Sequence, residues 1–369
     1  MISADTLVAP GVDGPGWVRT EGERIAAVGS GGPAGDAHHA VLVPGFVDVH
    51  VHGGAGAAFP GGDAEEALRV VAFHRAHGTT TTLASLVAAA PEELRRSVDV
   101  LADLVIEGEI AGVHLEGPWL AAGRCGAHDP AQLRDPDPVE LDKLLATDVI
   151  AMVTLAPERD GAPAAIRRIV GAGAVAAIGH TDADYALTRA AIDAGARHGT
   201  HLFNAMAPLH HREPGPAVAL LDDDRVTVEL VTDAVHVHPA LWELAVRTAG
   251  AHRVAAVTDA MAAAGMPDGA YRLGRLDVEV VDRVARLAGG GAIAGSTATA
   301  DVLFRNIVLH AALPRAQALR RAVAMTATTP ARALGLADVG ELVVGHRADL
   351  VGLSADLAVE AVYRAGAAV

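Results

Sequence analysis

Eight short apolar runs alternating with helix-periodic stretches constrain this chain more than any other feature. The runs are VPGFVDVH, TTTTLASLV, IAGVHLEG, VIAMVTLAPE, AVAAIGH, the stretch around ARHGTHLFN, VTVELVTD and RVAAVTDA. Stretches such as DAEEALRVVAFHRAHG and PEELRRSVDVLADLVIEG lie between them, with apolar residues at helical spacing. The second opens on Pro and two Glu, which suit the first turn of a helix. Parallel strands need crossover helices, so eight alternations predict an α/β fold, a (β/α)₈ TIM-like barrel. An open doubly wound sheet gives a similar rhythm but normally carries a Gly-rich phosphate loop. Neither GxGxxG nor GxxxxGK[ST] follows an early strand here.

The two ends read differently from the middle. TLVAP, GWVRT and RIAAVGS are short β pieces broken by the turn-forming clusters GVDGPG and GSGGPAGD, and GELVVGHRADLVGLSADLAVEAVYRAG near the other end resembles them. This pattern predicts a small β-sandwich domain built from residues 1–43 and 339–369, with the barrel over residues 44–338. Near residue 290, GGGAIAGSTATA predicts a loop followed by a short strand, AIAGS, returning to the barrel.

Charge and composition narrow the partners. A formal net charge of −16 disfavours nucleic acid and anionic membranes, and 3% aromatic content argues against base-stacking platforms. The single cysteine, Cys125, excludes an intrachain disulfide and a multi-Cys zinc knuckle. MISADTLVAP lacks the charged start and long apolar stretch of a secretory signal, and no apolar run approaches the roughly 20 residues of a membrane span. A soluble cytoplasmic enzyme is the expectation.

The polar residues at the strand ends carry the chemistry. Strand one closes on Asp48, His50 and His52, strand three on His114 and Glu116, and strand five on His180 and Thr181. Strand six closes on His201 and Asn204, and strand eight on Asp259. In a barrel the carboxyl ends of all strands converge on one face. Residues two apart on a strand point to one side, so His50 and His52 can ligate one metal ion. Imidazole and carboxylate donors suit a divalent metal, Zn²⁺ or Fe²⁺, as one or two ions per chain. His38, His39, His74, His77, His210, His211 and His238 are expected on surfaces or loops, while His114 lines the inner barrel as a support or a packing group.

PGFVDVHVHG, GVHLEGPW, AIGHTDA, THLFNAM, REPG, VTDA and AGST resemble the corresponding segments of the amidohydrolase superfamily in its N-acetylglucosamine-6-phosphate deacetylase branch. GELVVGHRADLV resembles the superfamily's closing β segment, and the likeness runs from about residue 40 to 355. The resemblance implies hydrolysis of the acetamide of N-acetylglucosamine 6-phosphate. Many members bridge two metals with a carboxylated lysine on the fourth strand. The only lysine here, Lys143, lies before that strand, so the resemblance makes Glu116 the bridging carboxylate. It implies one ion on Glu116, His180 and His201, and another on His50, His52 and the shared Glu116 with Asp259 nearby. Asp259 is also the implied catalytic acid–base.

His128, Asn204, Ala205, Arg212 and His236 match substrate-binding positions. Arg212 and His236, with backbone N–H groups near Asn204 and Ala205, would take the phosphate. A homodimer is implied, with Arg212 reaching the neighbouring subunit's site. Three rival readings are an enzyme preferring N-acetylgalactosamine 6-phosphate, an amidohydrolase acting on a nucleobase or cyclic amide, and a non-catalytic barrel. Cys125 occupies a substrate-loop position where a polar residue is expected, and a passive thiol is the simpler reading.

Overall fold

The computed structural model describes residues 1–32 and 35–369, so residues 33 and 34 of the GSGGPAGD cluster lie outside it. Near the start, β1 (Ile2–Ala9), β2 (Val12–Glu21), β3 (Arg24–Ser30) and β4 (Ala37–Pro44) follow one another. Only Pro10 and Gly11 form the first turn. The rest of GVDGPG, expected to break the strand, runs inside β2 because Gly14, Asp13 and Val12 pair in register with Leu7, Val8 and Ala9 of β1.

The barrel strands are β5 (Phe46–Asp48), β8 (Thr79–Leu86), β9 (Gly112–Glu116), β10 (Ile150–Leu155), β11 (Val175–Ile178), β12 (His198–Gly199), β13 (Thr227–Leu230) and β14 (Val254–Ala256). A small hairpin, β6 (Gly53–Gly54) and β7 (Ala57–Ala58), follows β5. All eight barrel strands are parallel neighbours in the order β14-β13-β12-β11-β10-β9-β8-β5. Closure comes just beyond the strand ends: Asp259 N–H donates to His50 O at 2.8 Å, and His52 N–H donates to Ala260 O at 2.8 Å. Asp48 adds a side-chain clasp, its carboxylate accepting from the Thr258 hydroxyl at 2.5 Å. The barrel is therefore sewn shut at the residues that carry the candidate donors.

Period-two alternation divides the strand residues between two cores. Val113, Leu115, Val153, Leu155, Val228 and Leu230 pack outward with Val98 and Leu101 of helix α2 and Ile166 and Ile169 of a later helix. Val47, Val49, Leu83, Met152, Ala177, Val231 and Val257 form a separate inner cluster. Helices α1 (Ala64–Ala76) and α2 (Pro91–Ile106) coincide with the two periodic stretches. Asp63 caps α1 by accepting from Glu66 N at 2.8 Å, satisfying one of the free N–H groups at the helix start.

After the barrel strands, β15 (Gly269–Leu273), β16 (Leu276–Val281) and β17 (Val284–Leu287) form an antiparallel sheet that the rhythm of the sequence did not disclose. AIAGS is not a strand. It makes single bridges only, Ile293 to Arg286 and Ser296 to Ala260, because one end leans on this inserted sheet and the other on the barrel. Finally β18 (Leu350–Leu353), β19 (Val359–Arg364) and β20 (Ala367–Ala368) join β1–β4 in one seven-stranded sheet, ordered β20-β19-β18-β4-β1-β2-β3. Ile2, Leu7, Val18, Ile25, Leu42 and Leu350 fill its core, so both chain ends are held in one cluster.

Two histidines expected on the surface are buried. His39 packs in β4 beside Tyr363, with Nδ1 3.3 Å from Glu360. His74, 1% exposed on α1, donates from Nε2 to Gly53 O at 2.9 Å and so pins the hairpin that follows His52. His38, His210, His211 and His238 are exposed, and His77 is half-buried.

Burial pushes the His74 imidazole down to about 4 from an ordinary 6.5. The unfolded chain therefore takes up a proton more readily than the folded one. Stability from this group is complete above pH 6.5 and is lost as pH falls towards 4, by about 3 kcal/mol in total. His74→Gln keeps a donor for Gly53 O and removes the titration. In urea denaturation at pH 7, 5 and 4 it should lose about that much less stability than the parent on acidification. An identical acid loss in both would remove His74 from the account.

Candidate metal centre

Glu116 ends β9 on the inward phase, beside Thr154 of β10, and is 3% exposed. Its two oxygens face different partners. Oε1 lies 2.9 Å from both His180 Nε2 and His201 Nε2, whereas Oε2 lies 3.2 Å from His52 Nε2 and 3.1 Å from His128 Nε2. His50 Nε2 is 3.6 Å from Oε1 and 3.6 Å from Asp259 Oδ1, and His52 Nε2 is 3.4 Å from the same Asp259 oxygen. Two donor groups result, His50–His52–Asp259 and Glu116–His180–His201, each with donor atoms within 4.8 Å of one another.

Three of these donors sit just past a strand in left-handed backbone: His180 at φ 49°, His201 at φ 25° and Asp259 at φ 49°. Such conformations are costly for residues with a Cβ and persist where surrounding contacts over-determine them. Gly179 allows the approach at His180, since a Cβ there would lie 2.7 Å from Thr200 Cβ.

Hydrogen bonds fix the ring orientations. His52 Nδ1 faces Ser85 O at 3.2 Å and His180 Nδ1 faces Arg124 O at 2.7 Å. His50 Nδ1 faces the Glu229 carboxylate at 3.0 Å. All three acceptors lack a hydrogen, so Nδ1 carries the proton and Nε2 presents a lone pair in each neutral ring. The Nε2 atoms of His50 and His52 are nevertheless 3.1 Å apart. Two lone pairs at that distance, beside buried carboxylates, need a cation between them. A divalent ion meets that need, and so the donor set fits a metal on its own chemistry.

Where no ion neutralises them, the same carboxylates draw positive charge onto the rings themselves. Burial alone would depress His50, but Glu116 and Glu229 outweigh it and hold the imidazole well above its usual range. Burial is likewise overcome at His52, which Asp259 and Glu116 raise to about 9. At His180 burial prevails over Glu116 and brings it down to about 4. Burial would raise Asp259, yet the His52 contact leads the terms that carry it down to about 2.

The centre forms the floor of a cavity of about 320 Å³ lined also by His128, Asn204, Ala205 and His236, with Leu273, Ala292 and Ile293 of the inserted sheet and its following loop. His128 Nδ1 accepts from Ala88 N at 3.1 Å, which leaves Nε2–H as a donor aimed at Glu116. His236 donates to Asp233 at 2.7 Å; burial lowers its affinity for a proton, but Asp233 more than compensates and raises its pKa. Asn204 N–H donates to His201 O at 3.0 Å. Arg212 lies outside the cavity of its own chain, on an exposed loop where its guanidinium meets His211 Nε2 at 2.7 Å. Arg124, not singled out from sequence, does line the cavity, with Nε on Asp182 at 2.6 Å.

The amidohydrolase family pattern matches residues 41–369. N-acetylglucosamine-6-phosphate deacetylase of Vibrio furnissii is 36% identical over 88% of this chain and 82% of its own length. The chain belongs to the amidohydrolase family. A solved structure of a mutant N-acetyl-D-glucosamine-6-phosphate deacetylase from Mycobacterium smegmatis, in complex with N-acetyl-D-glucosamine-6-phosphate, superposes with a TM-score of 0.97. It is 54% identical, and the match covers 100% of this chain and 98% of that one. N-acetylgalactosamine-6-phosphate deacetylase of Escherichia coli O157:H7 is 39% identical over 88% of this chain and 87% of its own. Family membership and the two donor groups together support a divalent metal in this amidohydrolase.

Sequence reasoning missed Glu229, Ser85, Thr154 and His198. Glu229 had a readable signal: it is the lone acid on the inward phase of VTVELV, between outward Val228 and Leu230. His114, 0% exposed, proves to be a support within the barrel. Its Nδ1 is 3.0 Å from Ser85 Oγ and its Nε2 2.8 Å from Thr154 Oγ1.

A bound ion stabilises only the folded chain, by about 4 kcal/mol at a thousandfold excess over its dissociation constant. Calorimetry should therefore show the metal-loaded protein melting several degrees above the chelated protein. Equal melting temperatures, with metal content checked in both, would contradict the metal fit.

Proposed function

We propose that this amidohydrolase cleaves the acetamide of N-acetyl-D-glucosamine 6-phosphate, giving D-glucosamine 6-phosphate and acetate. The observation that carries the reading is Glu116 at the cavity floor, its two oxygens directed at two separate imidazole groups. The likeness to a deacetylase solved with this sugar phosphate supports the choice of substrate.

Glu116, His180 and His201 would hold one ion, and His50, His52 and Asp259 with the shared Glu116 a second, as Zn²⁺ or Fe²⁺. When bound, a divalent ion there supplies Lewis-acid polarisation of a carbonyl and acidification of water. The remaining work falls to side chains. Asp259, ionised and facing the cavity, accepts a proton from the attacking water at its carboxylate and passes it to the departing nitrogen. Without that proton the amine is a very poor leaving group. His128 Nε2–H, which faces Glu116 at 3.1 Å, would turn to the carbonyl oxygen as negative charge develops there. The apolar wall of Leu273 and Ile293 limits water on the far side of the cavity.

His236, Asn204 and Ala205 line the cavity and would take the sugar phosphate. Arg212, exposed on its own subunit, supplies the guanidinium to a neighbouring subunit's site in a homodimer, where its planar fork suits phosphate. Among the described residues no helix is long and apolar enough to cross a membrane, and the reading places the enzyme in the cytoplasm. The E. coli relative favours one variant of the reading, preference for the galactosamine sugar.

The test is acetate release from both 6-phosphorylated N-acetylhexosamines and from unphosphorylated N-acetylglucosamine, with and without chelator. Chelator-sensitive release favouring N-acetylglucosamine 6-phosphate is expected. A galactosamine preference would reassign the sugar, and no release with added Zn²⁺ or Fe²⁺ would overturn the activity. Asp259→Asn should lower kcat by about a thousandfold or more while the sugar phosphate still binds. Arg212→Ala should chiefly raise KM, and an unmoved KM would remove it from phosphate binding.

A further inference from the structure

Glu229 is a carboxylate that the proposed chemistry does not use. It lies on β13, 0% exposed, between apolar neighbours. Its Oε2 accepts from His50 Nδ1–H at 3.0 Å and from His201 N–H at 2.9 Å, and its Oε1 faces His198 Nε2 at 2.9 Å. A buried carboxylate costs several kcal/mol in lost hydration, so its retention inside a barrel calls for a reason.

Of the five imidazoles around Glu116, the four that would hold metal differ in what stands behind them. His52 and His180 are backed by neutral carbonyls, those of Ser85 and Arg124. His201 Nδ1 is buried with no hydrogen-bond partner. His50 is backed by the Glu229 carboxylate. An anion behind an imidazole fixes its tautomer, holds its ring plane and makes the opposite nitrogen a stronger donor.

We infer that Glu229 is the positioning residue that creates the second metal position, by holding His50 with Nε2 towards Asp259 and Glu116. The inference rests on the two-ion reading above. Its influence on the first position is smaller, because it reaches His201 only through the backbone N–H and leaves that ring's donor atom alone.

The test is titration of chelator-stripped protein with Zn²⁺ in competition with a chromophoric chelator, with circular dichroism to verify folding. The parent should take up two ions in two steps. His50→Asn should abolish one step, that of the second position. In Glu229→Gln that same step should lose about 10–100-fold in affinity while the other moves little, and adding Glu229→Gln to His50→Asn should cause no further loss. A merely structural role would weaken both steps, or would persist in the His50→Asn background, and either result overturns the inference. Should Glu229→Gln not fold, Glu229→Ala, which leaves space for water, is titrated in its place with the same expectation. A parent that binds two ions and a Gln variant that matches it overturn this inference alone. A parent that binds none overturns the metal reading and this inference with it.

Discussion

The structure turns on one buried carboxylate. Glu116 brings a negative charge into a barrel mouth where hydration is lost, and burial alone would force it to take up a proton. It stays ionised because His128, His50, His180 and His52 surround it. Strands β5, β9, β11 and β12 and the loop holding His128 must each deliver an imidazole or a carboxylate to one volume. The parallel barrel does this by bringing the carboxyl ends of all its strands to one face.

The tolerances are set further out. Asp48 and Thr258 lock the first strand to the last, so the backbone carrying His50 and the backbone carrying Asp259 cannot move independently. Ser85 takes the N–H of Val51 on its hydroxyl and meets His114, which meets Thr154, which meets Thr200 beside His201. This polar chain crosses the barrel beneath the centre and ties one donor group to the other. Left-handed backbone at His180, His201 and Asp259 is the strain that such a framework can hold.

Much of this was legible in the chain. Barrel strands announce themselves because both faces of a parallel sheet are buried, giving near-continuous apolar runs, and a polar residue ending such a run is conspicuous. His50, His52, Glu116, His180, His201 and Asp259 stood out in this way, and the structure brings them together. Residues that bond inside the barrel did not stand out, because Ser85 and Thr154 read as ordinary strand residues and Glu229 as one acid among many. His39 and His74 were misplaced because a histidine hydrogen-bonded inside the fold packs like an apolar residue, which no local pattern reveals. The inserted β15–β17 sheet was missed because its residues alternate buried and exposed, unlike the apolar barrel runs beside it. GVDGPG looked like a turn, but pairing with β1 overrides the turn preference of Gly14 and Gly16.

In the proposed enzyme Glu116 is shared between two metal positions. Anomalous diffraction from crystals of the metal-loaded protein, collected on both sides of the metal's absorption edge, tests it most directly. The account predicts two peaks flanking the Glu116 carboxylate, one against His180 and His201 and the other against His50, His52 and Asp259. A single peak, or a second one that does not touch Glu116, would contradict it.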